Sequence, residues 1–254
     1  MAKGASIKFI SYEQTVPQLL ELLKIEKELK KHDKIVLKPY LKSKEQELEE
    51  SQSTPVEFAE AILKFVIDKK NPVAQVFIAE GADGEDTNDL FSSLGYAKLA
   101  EKYSIGLIDL NNTEIEEKIN DDFLKFSEVQ YPRILSESFV ISIPKLSEDD
   151  ELGIISSLSI MLGAFPSQFY SGFFSSKKNR IRKWPIKYSI HDIIKCKLPE
   201  FAVIDASKKG AILAGLPLDM DKQSAKLLGL EWKNVPYIKL LDESFTKKET
   251  PEFQ

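Results

Sequence analysis

The amino-acid sequence predicts an α/β fold: a mostly parallel sheet flanked by helices, with room for a smaller second α/β lobe in the centre of the chain. Three observations carry this. In the first half, apolar runs of strand length alternate with amphipathic runs of helix length, an order that demands crossover connections. The run Ile35-Val36-Leu37 is apolar without alternation, as in strands buried on both faces. With 254 residues, 43% of them hydrophobic, the chain has apolar material for a sizeable core. The pattern divides near Asn120. A first lobe covers 1–120, a second lobe or a continuation returning to the sheet covers 121–245, and a polar tail covers 246–254.

Taken in order, residues 6–12 place Ile7 and Phe9 in an opening strand. Thr15 is positioned to cap the next helix, with Pro17 in its first turn and Leu19, Leu20, Leu22, Leu23, Ile25 and Leu29 on its apolar face. Residues 34–39 form the second strand. Thr54-Pro55-Val56-Glu57 reads as a capping box opening a helix to about Lys70. A strand over 73–79 follows, then a helix capped by Asp86 and running through Leu99, then a strand over 105–110. The middle is less regular, with strands expected over 123–131 and 139–143 and a helix over 153–161. Residues 163–187 read as a long surface excursion. A strand over 201–205 and helices over 221–228 and 236–245 complete the series.

Composition narrows the chemistry. One cysteine, Cys196, excludes a disulfide framework and any iron–sulfur or zinc centre ligated by this chain's cysteines alone. Two histidines, His32 and His191, leave little for an imidazole-rich site. The glycines lack phosphate-loop spacing. No signal-like segment or membrane-length apolar run is present, so a cytoplasmic protein without membrane contact is expected. A net charge of −5 weighs against whole-surface nucleic-acid binding.

Several segments together resemble a known family. They are Lys38-Pro39 after the second strand, the following Thr54-Pro55, and Gly95 to Tyr103 with Leu107-Ile108-Asp109. Further along come Pro144-Lys145-Leu146, Leu162-Gly163 and Leu198 to Asp205. In this order they are similar to the domain of unknown function 362 family, over roughly 34–241. The resemblance implies an α/β fold and, in some members, an attached iron–sulfur ferredoxin module whose cysteines this chain lacks. It also implies a distant likeness to the two-lobed catalytic subunit of lactate racemase. The chain departs from the family at Tyr40, where asparagine is usual, and at Ser147-Glu148-Asp149, where lysine, a small residue and histidine are usual. Further departures are Ile160-Met161 for a Lys-Asn pair and Ala206 for a glycine.

In parallel sheets ligands bind beyond the carboxyl ends of the strands. That rule selects Lys38, Tyr40, Glu80, Asp83, Lys145 and Asp205 as the candidate ligand-binding set. Lysines there suit an anionic small molecule, and the carboxylates suit hydrogen bonding or Mg²⁺ shared with the ligand's oxygens. No metal site stands out by spacing. As strand-end residues, the same side chains can equally serve solubility, turns and caps. A second candidate is an interaction loop over 169–188 for a protein or, less favoured, RNA. Its cations are Lys177, Lys178, Arg180, Arg182, Lys183 and Lys187, flanked by Phe169, Tyr170, Phe173, Phe174, Trp184 and Tyr188. A third reading, from the family association, is a subunit of an iron–sulfur redox assembly whose cluster lies on another chain. The acidic run 148–151 reads as a solvated face or helix start. Cys196 lies between two lysines that could activate its thiol.

Overall fold

The computed structural model describes residues 4–43, 51–172 and 175–249. The first elements are β1 (Gly4–Lys8), α1 (Tyr12–Leu22), α2 (Glu26–Leu29), β2 (Lys34–Lys38) and α3 (Val56–Lys69). Next come β3 (Gln75–Glu80), α4 (Thr87–Ser93), α5 (Tyr96–Tyr103), β4 (Gly106–Asp109), β5 (Ile115–Lys118) and β6 (Val129–Pro132). They are followed by α6 (Arg133–Glu137), β7 (Phe139–Ser142), β8 (Ser147–Asp149), β9 (Gly153–Ile155) and α7 (Ser167–Tyr170). The chain ends with α8 (Ile186–Cys196), β10 (Phe201–Ala206), β11 (Ala211–Gly215), α9 (Pro217–Leu227) and α10 (Pro236–Glu249).

Seven strands form one sheet in the order β1-β11-β10-β7-β2-β3-β4. The five from β10 to β4 are parallel, and β11 and β1 close one edge antiparallel. The pairs β5–β6 and β8–β9 are small separate antiparallel units. Period-two alternation divides the strand side chains between two cores. Ile35, Leu37, Ile78 and Ile141 pack against α1, α3 and α5, while Val36, Ala79 and Val140 pack against α8 and α10. A third cluster joins Ala202, Ile204 and Leu213 to Met220 of α9.

Several local expectations are corrected. Ser11, not Thr15, caps α1, its Oγ accepting from the Gln14 amide at 3.3 Å. Thr15 Oγ1 instead accepts from the Ile10 amide. The capping box at 54–57 does not form, because tertiary structure claims the hydroxyl. Thr54 Oγ1 accepts from the Tyr40 amide and donates to the Ile143 carbonyl, tying β2 to β7, and α3 starts at Val56 without a side-chain cap. Asp86 does cap α4 through two amides. The helix beyond it breaks at Gly95, whose φ of 86° is left-handed and open to glycine. The strand expected over 123–131 contracts to β6, paired with the unforeseen β5. The helix expected over 153–161 is the β8–β9 hairpin and a 3₁₀ turn over Ser159–Ala164. Consequently the acidic run 148–151 turns a hairpin and starts no helix; Asp149 Oδ1 accepts from the Glu151 and Leu152 amides within that turn. Residues 163–187 are not a surface excursion, since Tyr170, Lys178 and Ile181 are buried. Phe173 and Phe174 lie outside the described residues, as do 250–254 of the expected tail, in which α10 continues through Glu249.

Sheet order marks where a crevice opens. From β2 the chain adds β3 and β4 on one side, and then returns to lay β7 on the other. The carboxyl ends of β2 and β7 therefore flank a switch point, where open α/β sheets leave a crevice.

Candidate functional site

β2 ends at Lys38, and neighbouring β3 ends at Glu80. Both side chains are buried, Lys38 fully. Lys38 Nζ donates to both Glu80 oxygens, at 2.9 and 2.8 Å, and to the Pro39 carbonyl at 2.9 Å, which uses all three ammonium protons. Glu80 Oε1 also accepts from the Gly81 amide at 2.8 Å. Burial pulls the Lys38 ammonium down from its ordinary value, and Glu80 pulls it back up. The pair is roofed by Gly163, where only hydrogen fits. A Cβ there would stand 2.2 Å from Glu80 Oε1 and 2.8 Å from Lys38 Nζ. Gly81 is equally constrained, its Cβ falling 2.3 Å from the Gly163 carbonyl oxygen.

Beside this pair lies a cavity of about 290 Å³, lined by Tyr40, Glu80 and Asp83 from the strand-end loops and by Lys177, Lys178 and Arg182 from the segment before α8. Lys178 is the group that defines it. Its amide donates to Asp83 Oδ1 at 2.7 Å, and its Nζ donates to the carbonyls of Gly81 (2.8 Å) and Gly163 (3.2 Å). Its third N–H has no acceptor among the described residues, although the side chain is only 1% exposed. Burial pulls its pKa down to about 8, with Glu80 and Asp83 acting upward and Lys38 downward. Arg182 donates to Asp83 Oδ2 at 2.6 Å and to Glu151 Oε2 at 3.0 Å, linking the strand-end loop to the hairpin turn. Lys177 makes no ion pair among the described residues. Burial raises the Tyr40 phenol, with Asp149 adding to the shift.

The two candidate sets thus partly converge, for three cations of the interaction loop point into the strand-end crevice. Arg180 turns away to donate to the Phe169 carbonyl at 2.7 Å. Lys183 and Trp184 line a neighbouring open groove with Pro185, Pro236 and Tyr237, and Trp184 is exposed. Three of the six predicted residues do not line the cavity: Lys38 lies behind Glu80 with its three protons already used, and Lys145 and Asp205 stand apart. Lys145 donates to the Ser51 carbonyl and lines a groove with Lys208 and Lys209. Asp205 is a buried structural acceptor, taking the Tyr12 hydroxyl at 2.8 Å and the Ser207 amide at 3.0 Å.

A Mg²⁺ bound directly by Glu80 or Asp83 would have to displace Lys38 from the first or Arg182 from the second. Among the described residues no three of His, Cys, Asp or Glu are grouped to hold a metal. Imidazoles take no part: His32 stacks on Phe139 at 4.7 Å, and His191 is buried between Asp192 (2.9 Å) and Ser244 (3.1 Å). Cys196 is not activated by its flanking lysines, because burial pushes its thiol up and Asp192 adds to the effect.

Two buried carboxylates outside the predicted set organise the chain around the site and beside α8. Asp221, buried in α9, accepts from the amides of Ser157 (2.8 Å) and Leu158 (3.0 Å), from Ser156 Oγ and from the Tyr237 hydroxyl. It thereby fixes the approach to the turn that carries Gly163. Burial lifts its pKa to about 6 against the pull of these donors. Asp192 similarly receives the amides of Leu124, Lys125 and Phe126. An acid facing the apolar side of a helix was the readable signal in both cases. Gly163 had its own signal in the Leu162-Gly163 pair.

The sequence model of the family described as domain of unknown function 362 (DUF362) matches residues 14–211. The chain belongs to the DUF362 family. No curated protein matches it by sequence. Among solved structures, this DUF362 chain is similar to the lactate racemase apoprotein from Thermoanaerobacterium thermosaccharolyticum. That match has 15% identity and a TM-score of 0.58, over 86% of this chain and 55% of the other. A structural-genomics target from Thermotoga maritima is similar at 11% identity and a TM-score of 0.50, over 88% of this chain and 61% of the other. The DUF362 chain thus spans little more than half the length of these neighbours, and the likeness is one of fold. Among the described residues, no helix is long and apolar enough to cross a membrane.

Proposed function

We propose that this DUF362 chain binds a small anionic metabolite in the cavity at the carboxyl ends of β2 and β3. The observation that carries the reading is Lys178: a buried ammonium at the cavity wall, with two carbonyl acceptors and one N–H left over. A buried donor without a partner is costly, and a ligand oxygen arriving at that position relieves the cost. Lys177 adds a cation with no ion pair among the described residues. Glu80 is paired with Lys38 and Asp83 with Arg182, which leaves Lys177 and Lys178 as the cations that face an anion at their end of the cavity, while Glu85, Asp149 and Glu151 line other parts of it. Lys38 serves here as the partner that holds Glu80 in place and makes no ligand contact. The cavity size suits a compact mono- or dicarboxylate or a small phosphate ester.

Thermal unfolding with a panel of small carboxylates and phosphates tests this. A ligand at a hundred times its Kd stabilises the native state by about 2.7 kcal/mol, a shift of roughly 5–10 °C at this chain length. Lys178→Met should abolish the shift while remaining folded. An undiminished shift in that variant would place the anion elsewhere.

A further inference from the structure

Resting on the anion-binding reading, we infer that Lys178 is a nucleophile as well as an anchor, forming an imine with small carbonyl compounds that carry a carboxylate. The geometry supplies each requirement. Lys178 lines the cavity and is only 1% exposed, so its side chain is screened from bulk water. A second buried ammonium, Lys38, belongs to the same cluster around Gly163, and a nearby like charge favours the neutral amine. The charged groups acting on Lys178 are Glu80, Asp83 and Asp109, which hold its proton, and Lys38, which repels it; burial outweighs them. With a pKa of about 8, roughly a quarter of the side chain is free amine at pH 7.5, against about a thousandth for an exposed lysine. Lys177, from the adjacent position, remains available for the carboxylate. The two carbonyls that Lys178 contacts, those of Gly81 and Gly163, accept hydrogen bonds and so keep Nζ in place without competing for its lone pair.

The step balances without an oxidant or reductant. Lys178 first releases one ammonium proton to cavity water. Its lone pair then forms a C–N bond to the carbonyl carbon, and the carbonyl oxygen takes up a proton to become a hydroxyl. Loss of that hydroxyl as water breaks the C–O bond and leaves C=N. The sum is amine plus carbonyl giving imine plus water, reversible until the imine is reduced.

The test is borohydride trapping on the full chain. The probe is glyoxylate, and glycolate serves as the anion of equal charge without a carbonyl. Glyoxylate with cyanoborohydride at pH 7.5 should give one reduced adduct per chain, mapped to Lys178 by peptide mass spectrometry, and excess glycolate should slow its formation. Lys178→Arg keeps the charge and should lose the adduct, while Lys177→Met should retain it at a reduced rate. Melting curves establish that each variant is folded. No adduct, or adducts spread over the surface lysines, overturns the imine. If no Lys178 adduct forms while glycolate stabilises wild type but not Lys178→Met, the imine alone has failed. If glycolate, glyoxylate and the rest of the panel all leave the melting point unchanged, the anion-binding reading has failed with it.

Discussion

Removing Lys38 while leaving Glu80 strands a carboxylate beneath the cavity, and the cost can be worked from the geometry. Lys38 is fully buried and Glu80 is 2% exposed, so neither end can recover its hydration by a small shift. The pair makes two contacts of 2.8–2.9 Å. In Lys38→Met, Glu80 keeps only the Gly81 amide and the more distant field of Lys178. Breaking one side of a buried pair typically costs about 3–5 kcal/mol, whereas replacing both partners with apolar groups of similar volume is close to neutral or stabilising. Lys38→Met should therefore lose about 3–5 kcal/mol in urea unfolding, which is on the order of 10 °C of melting temperature for a chain of this length. Glu80→Leu should be similarly damaging, because it strands the ammonium. The double variant should recover most of the loss, giving a coupling energy of several kcal/mol between the two sites. A single-variant loss below about 1 kcal/mol, or strictly additive losses in the double variant, would refute the reasoning.

Gly163→Ala should cost more than the 1–3 kcal/mol or so of ordinary overpacking, since its Cβ meets the ion pair at 2.2 Å. Gly210→Ala, with nothing within 4 Å, should cost only the roughly 1–2 kcal/mol of left-handed strain; equal losses in urea would remove the special role of Gly163. Lys178 should leave a signature in alkali. Its native pKa of about 8 lies below the unfolded 10.5, so between these values the unfolded chain holds the extra proton and stability rises with pH, by roughly 3 kcal/mol in total. Subtracting the Lys178→Met profile from wild type should isolate that rise, and parallel profiles would contradict the assigned pKa. Asp192→Ala strips the acceptor from three amides at 124–126, and hydrogen exchange there should accelerate strongly while exchange in β2 does not change.

Much of the sheet was legible because its parallel strands are continuous apolar runs: β2, β3, β7 and β10 all coincide with such stretches. β11 escaped notice because Ala-Ile-Leu-Ala-Gly is short, lacks β-branched residues beyond Ile212 and follows directly on a turn. The β8–β9 hairpin resembled a helix start because acidic residues before an apolar run satisfy both readings. Gly153, with a φ of 83°, makes the turn instead. In the site, Tyr40, Glu80 and Asp83 followed from the strand-end rule, since each lies at or just beyond β2 or β3. The same rule also selected Lys145 and Asp205. Those belong to the chain beyond β7 and to β10, which bridge to each other on the side of β7 remote from the β2–β3 cavity. Lys178 was legible only as one cation of a basic run. What buries it is a contact with Gly81, 97 residues earlier, and such pairings are made by packing and leave no local pattern.

Lys178 itself offers the most direct measurement. Titrating the ε-carbon resonance of Lys178 in ¹³C-lysine-labelled protein, assigned by Lys178→Met, reports its charge without perturbing the site. The free protein should titrate near pH 8, and a saturating small carboxylate should move that midpoint upward, because a bound anion stabilises the ammonium. A Lys178 that titrates near 10.5, or whose midpoint is indifferent to every anion tried, would contradict an anion site built around this residue.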